Sequence, residues 1–274
     1  MSAPGAGDPP VAMTIAGSDS GGGAGIQADL KTFAAHGVFG TSVVTAVTAQ
    51  NTAAVLGVSV LDPAFVDLQI EAVLGDLSVA AVKTGMLATA AVVEVVARRA
   101  ARGELPRLVV DPVMVTSTGA RLLDEDALCA YRELLLPHAA VCTPNLHEAA
   151  LLAGLDVGDR VAMEEAARRL ARHGPEVVVV KGGHLAGAGA PDVVLCRGTL
   201  TVLEGPRVTT VNDHGTGCSL SAATAAQMAA GLDPLAAVTA AKAYVAGALR
   251  GAARWSLGAG HGPLDHFGWN PSAG

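Results

Sequence analysis

The sequence predicts a single α/β domain with a doubly wound, mostly parallel central sheet and helices on both faces. Three observations predict it. Short β-branched runs recur along the 274 residues and are nearly continuous in apolar character, as strands covered on both faces must be. Between them lie segments of helical period with capping and breaker residues, and such βαβα order implies parallel strands with right-handed crossovers. A hydrophobic content of 51% is ample for a sizeable core.

The first strand reads as Val11 to Ala16. In the helix that follows, Gly25 precedes the apolar spacing Ile26, Leu30, Phe33, Ala34, and His36-Gly37 ends it. After a second strand, Ser42 to Thr48, Asp62-Pro63 supplies an N-cap and a first-turn proline, with Phe65, Leu68 and Ala72 expected inward. Further strands are expected at Ala80 to Lys83, Leu108 to Asp111, Ala139 to Thr143 and Val177 to Lys181. Helices are expected over 88–102, 124–136, 145–153, 160–173, 216–231 and 234–253. Only Asp192 to Val211 breaks the alternation, reading as a hairpin of Val193 to Cys196 and Thr199 to Leu203 around Arg197-Gly198. With no repeat and no linker, one domain over 11–268 is expected between a flexible N-terminal tail, 1–10, and a C-terminal tail, 269–274.

Composition excludes several function classes. The net charge is -7, and no Lys/Arg cluster offers a track for a nucleic-acid backbone. The four cysteines, at 129, 142, 196 and 218, have no C-x-x-C spacing, which points to reduced cytosolic thiols rather than a zinc knuckle or a disulfide scaffold. Residues 1–10 contain no basic residue and no apolar run, unlike a secretory signal. The Ala/Val-rich stretch at 88–101 is interrupted by Glu94, Arg98 and Arg99, well short of the ~18–20 apolar residues of a membrane span. A soluble cytoplasmic protein is expected.

The most informative motif is Asn212-Asp213-His214-Gly215-Thr216-Gly217-Cys218, which leads into an uncharged helix of small residues. Its glycines permit a tight turn whose free N–H groups converge on an anion at the positive helix end. Cys218 then stands where the same field favours a thiolate. The alternative is a glycine-rich loop that merely starts a buried helix. An earlier loop, Gly17 to Gly25, also follows a strand and opens a helix, with Asp19 at its tip and Asp29 one helical turn inside. It has neither the Gly-Lys-Ser/Thr ending of a P-loop nor G-x-G-x-x-G spacing.

Ligands in this architecture bind beyond the carboxyl ends of the strands, where polar residues close several runs. Asp111-Pro112-Val113-Met114 ends one strand, and Asn145-x-x-Glu148 follows another through Thr143-Pro144. Two carboxylates on neighbouring strand ends can hold Mg²⁺, usually through waters, although Asp111 could also cap a turn and Glu148 favour a helix start. Lys181-Gly182-Gly183-His184 brings a cation to the same level. Thr48-Ala49-Gln50-Asn51 and Lys83-Thr84-Gly85-Met86 end two more strands; Gln50 and Met86 can line a flat ligand, while Met is also ordinary core. The histidines lack metal-ligand spacing, with His184 and His214 the two placed near these motifs.

In order, GSDSGGGAGIQADLK, TAVTAQNT, KTGML, DPVM, TPNLHEA, VVKGGH, HGTGCSLSAA and GHGPLDHF resemble the hydroxymethylpyrimidine/phosphomethylpyrimidine kinases of thiamine biosynthesis, over Val11 to Phe267. The chain is similar more widely to the ribokinase superfamily, whose G-x-G-D signature carries an aspartate base. Cys218 stands in that place, the form of the pyrimidine-kinase branch. The resemblance implies a ribokinase-like fold, a cytoplasmic homodimer, ATP as phosphoryl donor, Mg²⁺ as cofactor, and no nucleic-acid or membrane partner. It implies phosphorylation of 4-amino-5-hydroxymethyl-2-methylpyrimidine to its monophosphate and then its diphosphate. Carried over by position, Asp29, Gln50, Met86 and Val113 match substrate-binding residues, and Gly215, Thr216 and Gly217 the anion hole. Cys218 matches the residue facing the substrate hydroxyl, as base or positioning group. Lys181 and Asn145 match the nucleotide side, and Asp111 and Glu148 the magnesium-associated carboxylates.

The chain departs from the family pattern at Ser20-Gly21, where Pro-Ser is common, and at Asp213, where threonine is common. Val115-Thr116-Ser117-Thr118-Gly119 lacks the lysine often found there, and no task for Gly260 to Pro263 is derivable from the sequence. A pyridoxal/pyridoxine kinase and a non-catalytic pyrimidine-binding sensor are the competing readings, because a related heteroaromatic ring fits the same pocket and a thiol replaces the usual carboxylate.

Overall fold

The computed structural model describes residues 7–114, 125–185, 187 and 189–269. Most of the two expected tails and the segment 115–119 lie outside the described residues. The strands are β1 (Val11–Asp19), β2 (Phe39–Gln50), β3 (Val55–Val60), β4 (Val79–Thr84), β5 (Val109–Val110), β6 (Val141–Cys142), β7 (Val177–Val180), β8 (Asp192–Cys196) and β9 (Thr199–Leu203). They form one sheet in the order β3-β2-β1-β4-β5-β6-β7-β8-β9. Pairing is parallel from β2 through β7 and antiparallel where β3 joins β2, β8 joins β7 and β9 joins β8.

The helices are α1 (Gly25–Ala35), α2 (Pro63–Asp76), α3 (Ala90–Ala101), α4 (Glu125–Ala130), α5 (Leu146–Ala153), α6 (Arg160–Ala171), α7 (Thr216–Ala229) and α8 (Pro234–Ala252). Their starts are chemically specified. Asp62, Asp159 and Asp233 each accept a first-turn amide, and Thr89 does the same for α3. Successive strand residues feed opposite layers, which is why the strand runs are apolar throughout. Met13, Val82, Val110, Cys142 and Val178 pack with α2, α3, α5 and α6, while Ala12, Ala81, Val109, Val141 and Val177 pack with α1, α7 and α8.

Three differences from the sequence expectation have physical reasons. The edge strand β3 was not expected, because its residues are half-buried or exposed and Gly57 interrupts its apolar pattern. The inward face of α2 is Val66 and Ile70, whereas Phe65 and Leu68 are more than half exposed and Ala72 faces out as well. That helix carries apolar residues on all sides, so periodicity could not orient it. The helix expected over 124–136 ends at Ala130, continuing as a π-helical turn, Tyr131–Leu135, and a 3₁₀ turn, Leu136–His138. Pro137 has no N–H to continue the α pattern.

From β1 the chain moves outward to β2 and β3 and then returns to place β4 on the other side of β1. The reversal opens a crevice at the carboxyl ends of β1 and β4, and every polar motif singled out above lies at that end of the sheet or on the first turn of α7. The orientation of α2 is testable by urea unfolding. Ile70→Ala is expected to cost about 2–5 kcal/mol as a buried truncation, while Leu68→Ala is expected to stay within about 0.5 kcal/mol.

Candidate active site

Two glycine-rich segments interlock above the crevice. Asp19, at the end of β1, accepts the amides of Gly21 (2.8 Å), Gly23 (3.1 Å) and Ala24 (2.9 Å), curling the first loop around its carboxylate. Its Oδ2 also lies 2.9 Å from His214 Nε2. Burial alone would raise the Asp19 carboxyl, but the His214 bond and the Ala24 and Gly21 amides hold it below the usual carboxylate range. Gly23 leaves room for the imidazole, since a methyl group there would collide with it. Gly215 adopts φ 84° and packs against the Gly23 carbonyl, so both its conformation and its neighbour demand glycine.

The segment Gly260 to Pro263 braces this turn from behind. His214 pairs with Pro263 in a parallel bridge and donates its amide to Gly262 O at 3.1 Å, while His261 N donates to Thr52 O at 2.9 Å. Asn212 is buried and donates to Ala252 O and Trp255 O. Asp213 is partly exposed and pairs with His261 Nδ1 at 2.7 Å. Within the first turn of α7, Ser219 Oγ lies 3.0 Å from His266 Nε2, and burial pushes that imidazole down to about 4.

α7 begins at Gly215 without a side-chain cap. The amides of Gly217 and Cys218 have no carbonyl one turn back within the helix, that of Thr216 donates to Asp213 O at 3.2 Å, and the helix dipole adds positive potential there. A Cβ on Gly217 would sit 3.1 Å from Lys181 Nζ, so a cation stands directly beside the turn. Lys181 is anchored 2.8 Å from Asp111 Oδ1, which also accepts from Thr143 Oγ1 at 3.1 Å; Asp111 Oδ2 faces Ser221 Oγ at 3.2 Å. Burial would raise the Asp111 carboxyl, but Lys181 and Lys83 more than reverse this and keep it ionised.

Asn145 and Glu148 form a reciprocal capping box at the start of α5, 2.9 Å and 2.8 Å. Asn145 pairs in an isolated parallel bridge with Lys181, the residue that follows β7. Burial, with Asp111 adding repulsion and Lys181 opposing it, pushes the Glu148 carboxyl up to about 7. Among the described residues no group of three or more His, Cys, Asp or Glu side chains could by itself hold a metal.

Lys83 was legible only as a strand end, yet it forms the floor of the site. Its ammonium lies 3.0 and 2.9 Å from the two Asp29 oxygens, Thr14 Oγ1 donates to Asp29 at 2.6 Å, and both ion-pair partners are wholly buried. Asp29 thus lies beneath the crevice rather than on its wall. Burial alone would lower the Lys83 ammonium, but Asp29, then Cys218 and Asp111, hold it well above the ordinary lysine range. Cys218 is half-buried, and the field expected to favour its thiolate is outweighed. Burial pushes the thiol up to about 11, with Lys83 and the Gly25 amide opposing and Asp29 and Asp111 adding to it. A lysine inside an otherwise apolar strand and an aspartate on the inward side of α1 were the available signals for the Lys83 pair.

Toward β2, Gln50 is half-buried, with its amide 3.2 Å from Thr48 Oγ1 and 3.1 Å from His214 Nε2. Ser20 pins its backbone, accepting Gln50 N–H at 2.8 Å and donating to Gln50 O at 2.7 Å. Met86 packs its methyl against Gly17, and Thr45 Oγ1 donates to its carbonyl at 2.6 Å. Val113 follows Asp111 and is half-buried. The fold thus gathers Asp111, Asn145, Glu148 and Lys181 beside the α7 turn on one side, with Gln50 and Met86 flanking the first loop on the other.

The family model described as phosphomethylpyrimidine kinase matches residues 19–265. The hydroxymethylpyrimidine/phosphomethylpyrimidine kinase of Rhizobium meliloti is 51% identical over 94% of this chain and 97% of its own length. The thiamine biosynthesis bifunctional protein of Geobacter sulfurreducens is 46% identical over 93% of this chain and 52% of its own. Among solved structures, the pyridoxal kinase of Staphylococcus aureus in complex with AMP-PCP and pyridoxal superposes with a TM-score of 0.87 at 34% identity, covering 96% of each chain.

A thiol raised to about 11 is protonated at neutral pH. Alkylation of Cys218 by iodoacetamide, followed by peptide mass spectrometry, is therefore expected to accelerate with pH up to about 11. Levelling near the ~8.5 of a free thiol would show that the site does favour the thiolate.

Proposed function

The chain belongs to the phosphomethylpyrimidine kinase family, and from that premise we propose how its residues divide the reaction. It is an ATP-dependent kinase of thiamine biosynthesis that phosphorylates 4-amino-5-hydroxymethyl-2-methylpyrimidine to its monophosphate and then to its diphosphate. One observation carries the division of labour: the Gly217 and Cys218 amides at the start of α7, which no side chain caps, stand beside the Lys181 ammonium, with the Cys218 thiol on the same turn. Phosphoryl transfer asks mainly for alignment and charge neutralisation, and these groups supply both.

Gly215, Thr216 and Gly217 receive the equatorial oxygens of the transferring phosphoryl group, and Lys181 neutralises their charge. Asn145 and Lys181 lie on the nucleotide side. Gln50 hydrogen-bonds the polar edge of the pyrimidine, with Met86 and Val113 against its faces. Asp29 acts from below by holding Lys83. Cys218 faces the substrate hydroxyl with its proton in place, so its first task is to orient that oxygen. As the oxygen bonds to the phosphoryl group, its proton passes to a phosphoryl oxygen, and the buried Lys83 charge stabilises the negative charge building on the attacking oxygen.

Asp111 and Glu148 fit a hydrated divalent cation. Glu148 is a buried carboxyl that resists ionisation, and a nearby Mg²⁺ would favour its charged form while waters complete the coordination shell. When bound, Mg²⁺ neutralises phosphate charge. No helix among the described residues is long and apolar enough to cross a membrane, and the reading places the enzyme in the cytoplasm. It also includes a homodimer, supported by exposed Phe39, Leu56, Val58, Phe65 and Leu68 on β2, β3 and α2.

With Mg-ATP, the purified protein is expected to form ADP and both pyrimidine phosphates, and to turn over pyridoxine more slowly; inertness toward both pyrimidines would remove the reading. With Cys218 orienting the hydroxyl, Cys218→Ala is expected to lower kcat by up to about 10²-fold through misplacement of the attacking oxygen. A loss below about threefold would leave the cysteine as pocket lining.

A further inference from the structure

The hydrogens around Gln50 can be counted, and the count assigns its orientation. Asp19 Oδ2 already accepts from Gly23 and Ala24 and carries no proton, so the His214 Nε2 that it meets at 2.9 Å must bear a hydrogen. The Gln50 Nε2, 3.1 Å from the same ring nitrogen, would then set donor against donor. At the other end of the amide, Thr48 Oγ1 lies 3.1 Å from Ser18 O and 3.2 Å from Gln50 Oε1, so its single hydrogen is divided between two carbonyls. Turning the amide end for end frees the Thr48 hydrogen for Ser18 and replaces donor against donor by one His214 Nε2–H shared between Asp19 Oδ2 and the Gln50 carbonyl. The carbonyl then accepts from His214, and the amide nitrogen donates to Thr48, whose hydroxyl donates to Ser18.

We infer that His214, held by Asp19, is a specificity-determining positioning residue: it locks the Gln50 amide with its carbonyl toward the imidazole. One N–H on the Thr48 side and one carbonyl lone pair on the His214 side are left for a ligand. That pair reads a ring nitrogen beside an exocyclic amine and refuses the reverse pattern of a ring N–H beside a carbonyl. The ligand assignment rests on the aminopyrimidine substrate proposed above; the locked amide does not. Gly23 and Gly215, which let the loop and the turn meet, are on this reading part of the selectivity device.

The reversed edge is available as 5-hydroxymethyl-2-methylpyrimidin-4(3H)-one. For the wild-type enzyme, kcat/KM is expected to favour the aminopyrimidine over this analogue on the order of 10²-fold or more, because binding the analogue leaves buried polar groups opposed. In His214→Ala the amide is free to rotate, and the ratio is expected to fall at least about tenfold whatever happens to the absolute rates. An unchanged ratio in a folded, active variant overturns the inference. The second measurement needs no variant: ¹⁵N chemical shifts of His214 in the wild-type protein are expected to show Nε2 protonated, and an unprotonated Nε2 overturns it. Should the wild type phosphorylate neither pyrimidine, the proposed substrate falls while the ¹⁵N measurement still decides the lock.

Discussion

The site depends on one carboxylate. Asp19 collects three loop amides and the imidazole of a residue 195 positions later, so a single anion closes the first loop and ties it to the turn that opens α7. The bonds are worth more than exposed ones because Asp19 is buried and the local dielectric is low. Without that tie, the α7 amides and the Gln50 side chain would be carried by separate loops. With it, the α7 turn and the Gln50 side chain are fastened to a single carboxylate.

Beneath this clamp the charges are layered. Lys83 and Asp29 form a dry pair on the floor, Lys181 and Asp111 a second pair beside the turn, and Glu148 a third acidic group. Buried pairs of this kind contribute little net stability, since desolvation offsets most of their attraction. Their value here is positional. Each cation is fixed by a carboxylate that is itself held by hydroxyls from Thr14, Thr143 or Ser221, so the charges are in place before any ligand binds. The same burial keeps the Cys218 thiol protonated, which separates the proximity of a nucleophile-like sulfur from the capacity to act as a ready base.

The parallel strands and most helices were legible because their signals are local. β-branched runs bounded by polar residues marked β1, β2 and β4 to β7, and Asp62, Asp159 and Asp233 mark helix starts by their chemistry alone. β3 and the face of α2 were not legible, since both lie at the sheet edge where apolar residues are exposed and pattern no longer reports burial. In the site, the G-T-G-C turn and the strand-end Asp111, Glu148 and Lys181 were readable as residue types suited to anions and cations. Lys83 had no assigned role, and the brace formed by Gly260 to Pro263 had none either, because each acquires meaning only from a partner far along the chain.

By itself the sequence determined the α/β class, the position of each polar residue at a strand end or helix start, and the glycines that permit tight turns, because these follow from side-chain period and backbone sterics within a few residues. Only the tertiary structure decided which of those residues meet: Asp19 with His214, Lys83 with Asp29, Lys181 with Asp111 and with the α7 turn. It also decided their protonation, since the pKa of a cysteine or a glutamate depends on how much water it has lost and which charges have replaced it, and neither is set before the sheet and α7 close together.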